Sequence, residues 1–592
     1  MSDSENSRLS GRQFLELTGG VAGMAALTSM GIADGWADNK VTLDTDNLSK
    51  QDHQTDVLVI GGGMAGLFAA VKAHDAGAIV MMVSKGRLGA SGQTPFAKGI
   101  FAFNPKTSKL TLDEFTNEVS RSALGTSNPV YTRQMAEHSQ ARVNELKEWG
   151  FFDSVLCNRP FSNPLQKRNI PVIERVMITH LIKEDGKIVG AAGFSMDNEN
   201  VISFSAKSII LCTGAGGFKP NGFPINDLTH DGTVMAYKIG AKVTGKEWND
   251  GHPGQAKNAA ACFDGWHGMF ERKPGITGVE IHHDLGVDMN YLAYMNGNPL
   301  EAGPPGMAAS NKTVGGPYRP AGFDQPHHPP PPPGDSDRVA GRGKPPAGFE
   351  PPPGGPADGG RPPGMHGIPV GGSSAGMSIH KSEGLVPIND QCESNIPGLY
   401  AAGDALGSYM AGAIYTQIGS SLARSAVQGA IAGKAAANYV QKTPMFKISP
   451  VKLNQVKDEI LAPLKRQAGF GPAWVTQTLQ GIMIPNFVLY IKKESLLKAA
   501  LAYIEELRDH HLPMLRAADM HELRLAHETA NMIISAEMKL KASLMRKESR
   551  CSHYRLDYPE IDNENWQAWI NIYRGNKGEM QLEKQRFDAW PA

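Results

Sequence analysis

The sequence predicts an α/β fold followed by a helical C-terminal part, and three observations predict it. A short apolar strand near residue 60 runs straight into a glycine-rich turn and a helix. Two later apolar runs, near residues 212 and 402, also end in glycine turns. Beyond about residue 450 the apolar residues recur at helical spacing.

The first element reads Asp56-Val-Leu-Val-Ile60, short and apolar enough for a strand buried on both faces. It passes into Gly61-Gly62-Gly63-Met64-Ala65-Gly66. The spacing of Leu67, Ala70, Val71 and Ala73 then predicts a helix that stops before Gly77. A second strand is expected over Ile79–Val83, ending at Ser84 and Lys85. Strand, turn, helix and strand make the βαβ unit that a dinucleotide fold requires. Gly61 permits the tight turn, Gly63 lets the backbone approach a diphosphate, and Gly66 lets the helix pack on the sheet. Met64 and Ala65 then lie at a helix tip whose unpaired N–H groups and positive dipole end suit phosphate. The acid that usually closes the second strand is absent. Ser84 stands there, a weaker partner for a ribose hydroxyl than a carboxylate.

Ser208-Ile-Ile-Leu-Cys212 is the next apolar run, and it ends in Thr213-Gly214-Ala215-Gly216-Gly217. Gly398-Leu-Tyr-Ala-Ala-Gly403-Asp404 repeats the strand-then-glycine pattern, and alanine-rich Ser420–Tyr439 reads as a buried helix. Between these lies a shift in composition: Pro304–Pro363 holds 18 of the 40 prolines, including the run Pro329–Pro333. No regular helix or central strand survives that density. The stretch reads as an extended, partly polyproline-II lid or spacer, with docking to an aromatic groove as the alternative. Leu496, Leu497, Ala500, Leu501, Ile504 and Leu507 then give one helical stripe, and Leu523 through Leu544 another.

A length of 592 residues allows several domains, and 41% hydrophobic with 20% charged residues is ordinary for a globular enzyme. Lys+Arg and Asp+Glu are both 59, so no basic field argues for nucleic acid. Cys157, Cys212, Cys262, Cys392 and Cys551 are scattered, with no CxxC pair for an iron–sulfur cluster or attached haem. Redox chemistry must then use a bound organic cofactor. Ser10-Gly11-Arg12-Gln13-Phe14-Leu15 looks like a twin-arginine export signal with one arginine missing. A Gly/Ala-rich apolar stretch and a small-residue site near Gly35-Trp36-Ala37 follow it. Periplasmic and cytoplasmic locations both stay open. The stretch is too short and glycine-rich for a membrane span.

Several ordered motifs over residues 52–570 resemble the flavoprotein subunits of the fumarate reductase/succinate dehydrogenase superfamily, the alpha chains of adenylylsulfate reductases being a possible closer branch. Gly89-Ala-Ser-Gly-Gln-Thr-Pro-Phe-Ala-Lys-Gly-Ile100 is similar to the family's flavin-contacting loop, which points to Ser91, Gly92 and Gly99. Thr229-His-Asp-Gly-Thr-Val-Met-Ala236, followed by Glu247 and His252-Pro253, resembles its "TGDGxxMA…E…HP" run. Gly398–Asp404 resembles "GLYAAGE", and Ser420-Ser421-Leu422 matches the tripeptide that lies along the flavin ring. Glu548-Ser-Arg550-Cys-Ser-His553-Tyr-Arg555-Leu-Asp557-Tyr-Pro559 is similar to "ESRGxHxRxDxP".

The resemblance implies a Rossmann-like FAD-binding domain with an inserted capping domain and a C-terminal helical domain. The expected boundaries are an N-terminal arm over 1–45, FAD-binding parts over 52–245 and 370–440, and a cap over 246–369 with its proline-rich insertion at 303–364. A helical domain over 450–570 and a tail over 571–592 complete them. Gly61, Gly63, Met64, Ala65, Gly66, Ser84, Lys85, Thr213, Gly214, Asp231, Gly403 and Asp404 join the loop and helix-start residues above as expected FAD contacts. The family's covalent flavin link uses a histidine, and Ser91-Gly92-Gln93-Thr94 has none, so the FAD is expected to be noncovalent. His252 and Arg550 match the family's site residues, while Arg319 and His366 (or His380) are positional candidates only.

The departures bear on the substrate. The proton-donor arginine of "RGEGG" has no clear counterpart, and Thr416 stands where "NRLGGNSL" supplies a carboxylate-binding arginine. Without them the bidentate grip on a dicarboxylate is lost. The expected activity is hydride transfer between flavin and a small organic molecule other than fumarate or succinate. A flavin-carrying electron-transfer subunit with no substrate of its own is the alternative. No second strand–GxGxxG–helix unit provides for NAD(P)H, so a partner protein, a quinone or a diffusible carrier is expected to exchange the electrons.

Overall fold

The computed structural model describes Thr45 and residues 48–591, except for 109, 220–224, 226, 250–253, 257–272, 279–367, 371–381, 414–418, 485 and 490. Strand β1 (Ser49–Ile60) is longer than the apolar run alone predicts. Its first half is exposed and polar, whereas Val57–Ile60 are buried. Helix α1 (Met64–Asp75) follows the glycine turn, and β2 (Val80–Ser84) lies parallel to β1 in the register Val57↔Val80 to Ile60↔Val83. Strand β3 (Val172–Glu174) pairs parallel with the outer side of β2. Strands β4 (Val176–Glu184), β5 (Lys187–Ser195) and β6 (Asn200–Leu211) form an antiparallel meander. Its first bend, Asp185-Gly186, has φ of 48° and 78°. Positive φ at both central residues is what a two-residue primed hairpin turn demands.

Strand β6 returns parallel to β1 along its whole length, giving the order β3-β2-β1-β6-β5-β4. A short strand, β7 (Leu399–Ala401), pairs parallel with the end of β6, beyond the stretch that β5 covers. The carboxyl ends of β1, β6 and β7 therefore lie side by side. Each leads into one of the glycine turns read from the sequence.

Helix α2 (Asp231–Lys238) follows the β6 turn, and α3 (Ser420–Gln441) lies against α1. A Cβ on Gly429 or Gly433 would fall on the carbonyl oxygens of Ala65 and Ala69. The two helices thus meet backbone to backbone. That contact explains why α3 is built from Ala and Gly rather than larger apolar residues.

The C-terminal part packs α4 (Pro472–Met483), α5 (Glu494–Glu506) and α6 (Met520–Met545) around Val475, Leu479, Leu497, Ile504, Met532, Ile533 and Leu540. One stripe of α6 is polar yet buried: Glu528, Asn531, Ser535 and Lys539 expose no more than 4%. Each meets a partner outside the helical part. The expected tail is instead ordered: β8 (Ala568–Arg574) and β9 (Met580–Arg586) form a hairpin that adds to Val243–Thr244 and Gly384–Leu385 in a four-stranded sheet. Trp569, Ile570 and Ile572 of β8 are buried there, whereas β9 is exposed or half-buried along its length. Among the described residues no helix is long and apolar enough to cross a membrane.

Candidate cofactor-binding site

A cleft opens at the carboxyl ends of β1, β2 and β6. Its first wall is the turn after β1. Gly61 has φ +118°, and a Cβ on it would strike the carbonyl of Cys212. A Cβ on Gly66 would strike the carbonyl oxygen of Gly61. Both glycines let turn, helix and neighbouring strand close on one another. Gly63 differs: at φ −82° any residue fits its backbone, and an added Cβ would meet only Thr94 Oγ1, at 3.3 Å. The bare backbone there leaves room above the tip of α1, where Gly63 caps the helix without any side-chain bond. Met64 N–H donates to Thr94 Oγ1 at 3.2 Å.

Of the residues expected to contact a cofactor, Gly61, Gly63, Met64, Ala65, Ser84, Lys85, Ser91, Gly92, Thr213, Gly214, Asp231 and Asp404 line this cleft. The others pack behind it or lie elsewhere. Gly66 holds the turn, and Gly403 donates its N–H to Gln428 Oε1 at 3.1 Å. Gly99 sits in a short parallel pair with Gly275–Thr277. Ser420, Ser421 and Leu422 open α3 without lining the cleft. The cleft also takes in Gln93, Thr94, Val176–Ile178, Asp227, Met235 and Ser425, none of which sequence reasoning selected. Gln93 and Thr94 had a signal, since they complete the loop that supplied Ser91 and Gly92. Val176–Ile178 had none, because they enter only through the β-strand pairing of the meander.

Lys85 accounts for much of the electrostatics. Its ammonium lies 2.6 Å from Asp231 Oδ2 and 2.9 Å from Glu528 Oε1, tying the end of β2 to α2 and to the polar stripe of α6. Burial alone would lower its pKa, but the charges of Asp231, Glu528 and Asp227 outweigh that and raise it. Burial likewise pushes Glu528 up, yet Lys85, Lys219 and Arg524 hold it at about 2. On the far wall Asp404 pairs with the buried Arg424 of α3. Thr213 Oγ1, in the cleft wall, and Ser421 Oγ are buried hydroxyls without a hydrogen-bond partner. An open helix tip, a backbone cradle that a side chain would fill and an unmatched hydroxyl suit a diphosphate carrying ribose and ribityl groups.

Of the expected catalytic residues, His252, His366 and Arg319 lie outside the described residues, as do His380 and Thr416. Arg550 is described and does not line the cleft. Its guanidinium, 2% exposed, donates to both oxygens of Glu548 (2.9 and 3.0 Å), to Asn563 Oδ1 (2.8 Å) and to the carbonyl of Leu124 (2.8 Å). It braces the C-terminal signature loop.

Comparison with known proteins agrees with this geometry. A family model described as "FAD binding domain" matches residues 56–163, the part that holds β1, α1, β2 and the Ser91–Thr94 loop. A second, "Fumarate reductase flavoprotein C-term", matches residues 476–591. Both matches support the resemblance of the chain to the fumarate reductase/succinate dehydrogenase flavoproteins. The chain is an FAD-dependent oxidoreductase. An uncharacterised FAD-dependent oxidoreductase of Methanocaldococcus jannaschii is 26% identical over 600 residues, covering 91% of this chain and 99% of that protein. One chain of the fumarate reductase (CoM/CoB) of Methanothermobacter marburgensis is 25% identical over 576 residues, covering 88% and 97%. Among solved structures, adenylylsulfate reductase from Archaeoglobus fulgidus superposes with TM-score 0.67 at 19% identity, covering 93% of this flavoprotein and 98% of that chain. The E. coli quinol fumarate reductase FrdA, in variant form, gives 0.67 at 17% identity, covering 90% and 97%. At these identities the structures speak for the fold alone.

Proposed function

We propose that this flavoprotein is a reductase or dehydrogenase that transfers hydride between the flavin and a small organic molecule other than a simple four-carbon dicarboxylate. Bound FAD supplies a two-electron hydride carrier. The chain's own groups bind and orient it noncovalently. The amides at the tip of α1 take the diphosphate, Ser84 and Lys85 the adenosine side, Asp404 a ribityl hydroxyl, and the start of α3 the ring. His252 is the substrate-side histidine in this reading, with Arg319 and His366 as further candidates, and a protein partner, quinone or carrier exchanges electrons with the flavin.

The observation that carries the substrate assignment is that two stretches matched to the family's arginine-bearing motifs offer no available arginine. Tyr415–Leu422 contains none. Arg550 spends its donors on Glu548, Asn563 and Leu124. A dicarboxylate held in a desolvated site needs at least one bidentate guanidinium, and a lone histidine does not replace it.

The test is anaerobic stopped-flow mixing of dithionite-reduced protein with candidate acceptors. Fumarate is expected to reoxidise the flavin no faster than buffer, while some other reducible organic acid or enone does so within seconds. Rapid reoxidation by fumarate refutes the substrate assignment. Failure of every small molecule to outpace oxygen leaves the chain as an electron-transfer subunit.

A further inference from the structure

Behind the cleft wall lies a cluster of ionisable side chains that FAD binding does not use. His230 precedes Asp231, a wall residue, and is held at φ +62°, ψ 20°, a left-handed conformation that few non-glycine residues adopt. Its ring is fully buried and packs on the Gly214–Gly217 turn, so closely that a Cβ on Gly216 would overlap the imidazole. His230 Nδ1 lies 2.8 Å from Glu383 Oε1, and Lys246 Nζ pairs with the same oxygen. Glu383 adjoins Gly384, whose missing Cβ abuts Ala405, the neighbour of wall residue Asp404. The His230–Glu383 pair therefore sits between the turn after β6 and the turn after β7.

The charged groups facing His230 come from every element around it. Glu383 and Lys246 belong to the two short strands' loops. Lys539 and Ser535 come from α6, and the Phe218 ring stands 5.6 Å away. Lys539 donates 2.8 Å bonds to the carbonyls of Lys246 and Trp248 and to Asn249 Oδ1, so all three of its protons are placed. His230 Nε2, Glu383 Oε2, Ser382 Oγ and Ser408 Oγ, by contrast, are buried without partners. Ser382 lies beside Glu383, and the Ser382 carbonyl is 3.0 Å from where a Cβ on Gly407, next to Ser408, would stand. Four unmatched polar atoms in one neighbourhood are the signature of buried water.

We infer that His230 and Glu383 form a hydrated proton site behind the cofactor wall, filled when the flavin is reduced and emptied when it is oxidised. The Glu383 carboxylate, held at about 2 against its burial by Lys246 and His230, accepts the Nδ1 proton. That leaves Nε2 as an acceptor, buried and without a protein partner. Burial keeps the imidazole neutral, lowering its pKa while Glu383 opposes that shift. Negative charge added to the bound cofactor by two electrons from an external donor would favour the imidazolium. Of the two protons that would accompany two electrons, His230 Nε2 would take one from solvent and the other would be the cofactor's own, with no carbon bond changed. Reoxidation returns both. The inference rests on FAD occupying the cleft.

The experiment is potentiometric titration of the flavin midpoint against pH, between about pH 6.5 and 8, for the wild type and for His230→Asn. Asparagine tolerates the left-handed backbone and keeps a donor toward Glu383. One proton per two electrons moves the midpoint about 30 mV per pH unit. The wild type is expected near twice that slope, and His230→Asn near the single value. Redox-difference infrared spectra of the wild type with ¹⁵N-histidine give a readout independent of the variant, an imidazolium band appearing on reduction. Equal slopes in proteins that retain flavin, or no isotope-sensitive imidazole band, overturn the proton site. A wild-type preparation that takes up no flavin overturns the cofactor assignment itself.

Discussion

Gly63→Val separates the cofactor cradle from the fold. The backbone at Gly63, φ −82° and ψ −169°, is one that valine adopts readily, and the added Cβ meets only the rotatable Thr94 hydroxyl at 3.3 Å. The apo protein should therefore fold, with stability changed by no more than about 1 kcal/mol. The isopropyl group, however, occupies the space above the tip of α1. Losing two charge-assisted bonds from amide to phosphate, at about 1.5–3 kcal/mol each, costs about 3–6 kcal/mol. That corresponds to a loss on the order of 10²–10⁴ in FAD affinity. Fluorescence titration of apoprotein with FAD measures the affinity, and a thermal melt followed by circular dichroism checks the fold. Gly66→Ala is the contrast, since its Cβ would collide with the Gly61 carbonyl and disrupt the turn itself. A folded Gly63→Val protein that binds FAD within threefold of wild type would refute the reasoning.

Three further outcomes follow from the same geometry. Denaturation in acid or guanidinium should release all the flavin into the filtrate, because Ser91–Thr94 offers no histidine, cysteine or tyrosine for a covalent link; yellow colour retained on the chain would contradict this. Glu528 is held at about 2 against an ordinary 4.5, so it contributes about 3 kcal/mol that is present above pH 4.5 and lost as pH falls toward 2. Glu528→Gln should lower the urea midpoint at pH 7 and flatten the acid limb of the stability curve, and an unchanged acid limb would remove Glu528 from the account. His252→Ala should retain flavin but lower turnover at least tenfold with the acceptor found for the wild type, and unaltered kcat would exclude that histidine.

Sequence by itself determined the parts whose signal is local. Gly61, Gly63 and Gly66 sit between an apolar run and a helical run, and their spacing carries their roles because turn geometry and helix-tip amides involve only adjacent residues. The Asp185-Gly186 hairpin turn came from the structure, although it too involves only adjacent residues. Only the tertiary structure decided the rest. That the chain after 571 continues as sheet depended on a partner strand at Val243–Thr244, more than 300 residues away. That Arg550 is a brace depended on the Leu124 carbonyl. The Lys85–Glu528 clamp joins residues 443 apart, and the His230–Glu383 pair joins residues 153 apart. A charged side chain has the same letter in a surface pair, a buried clamp or a proton site. Its role is set by desolvation and by which charges the fold brings within about 4 Å, and neither quantity is a property of the local sequence.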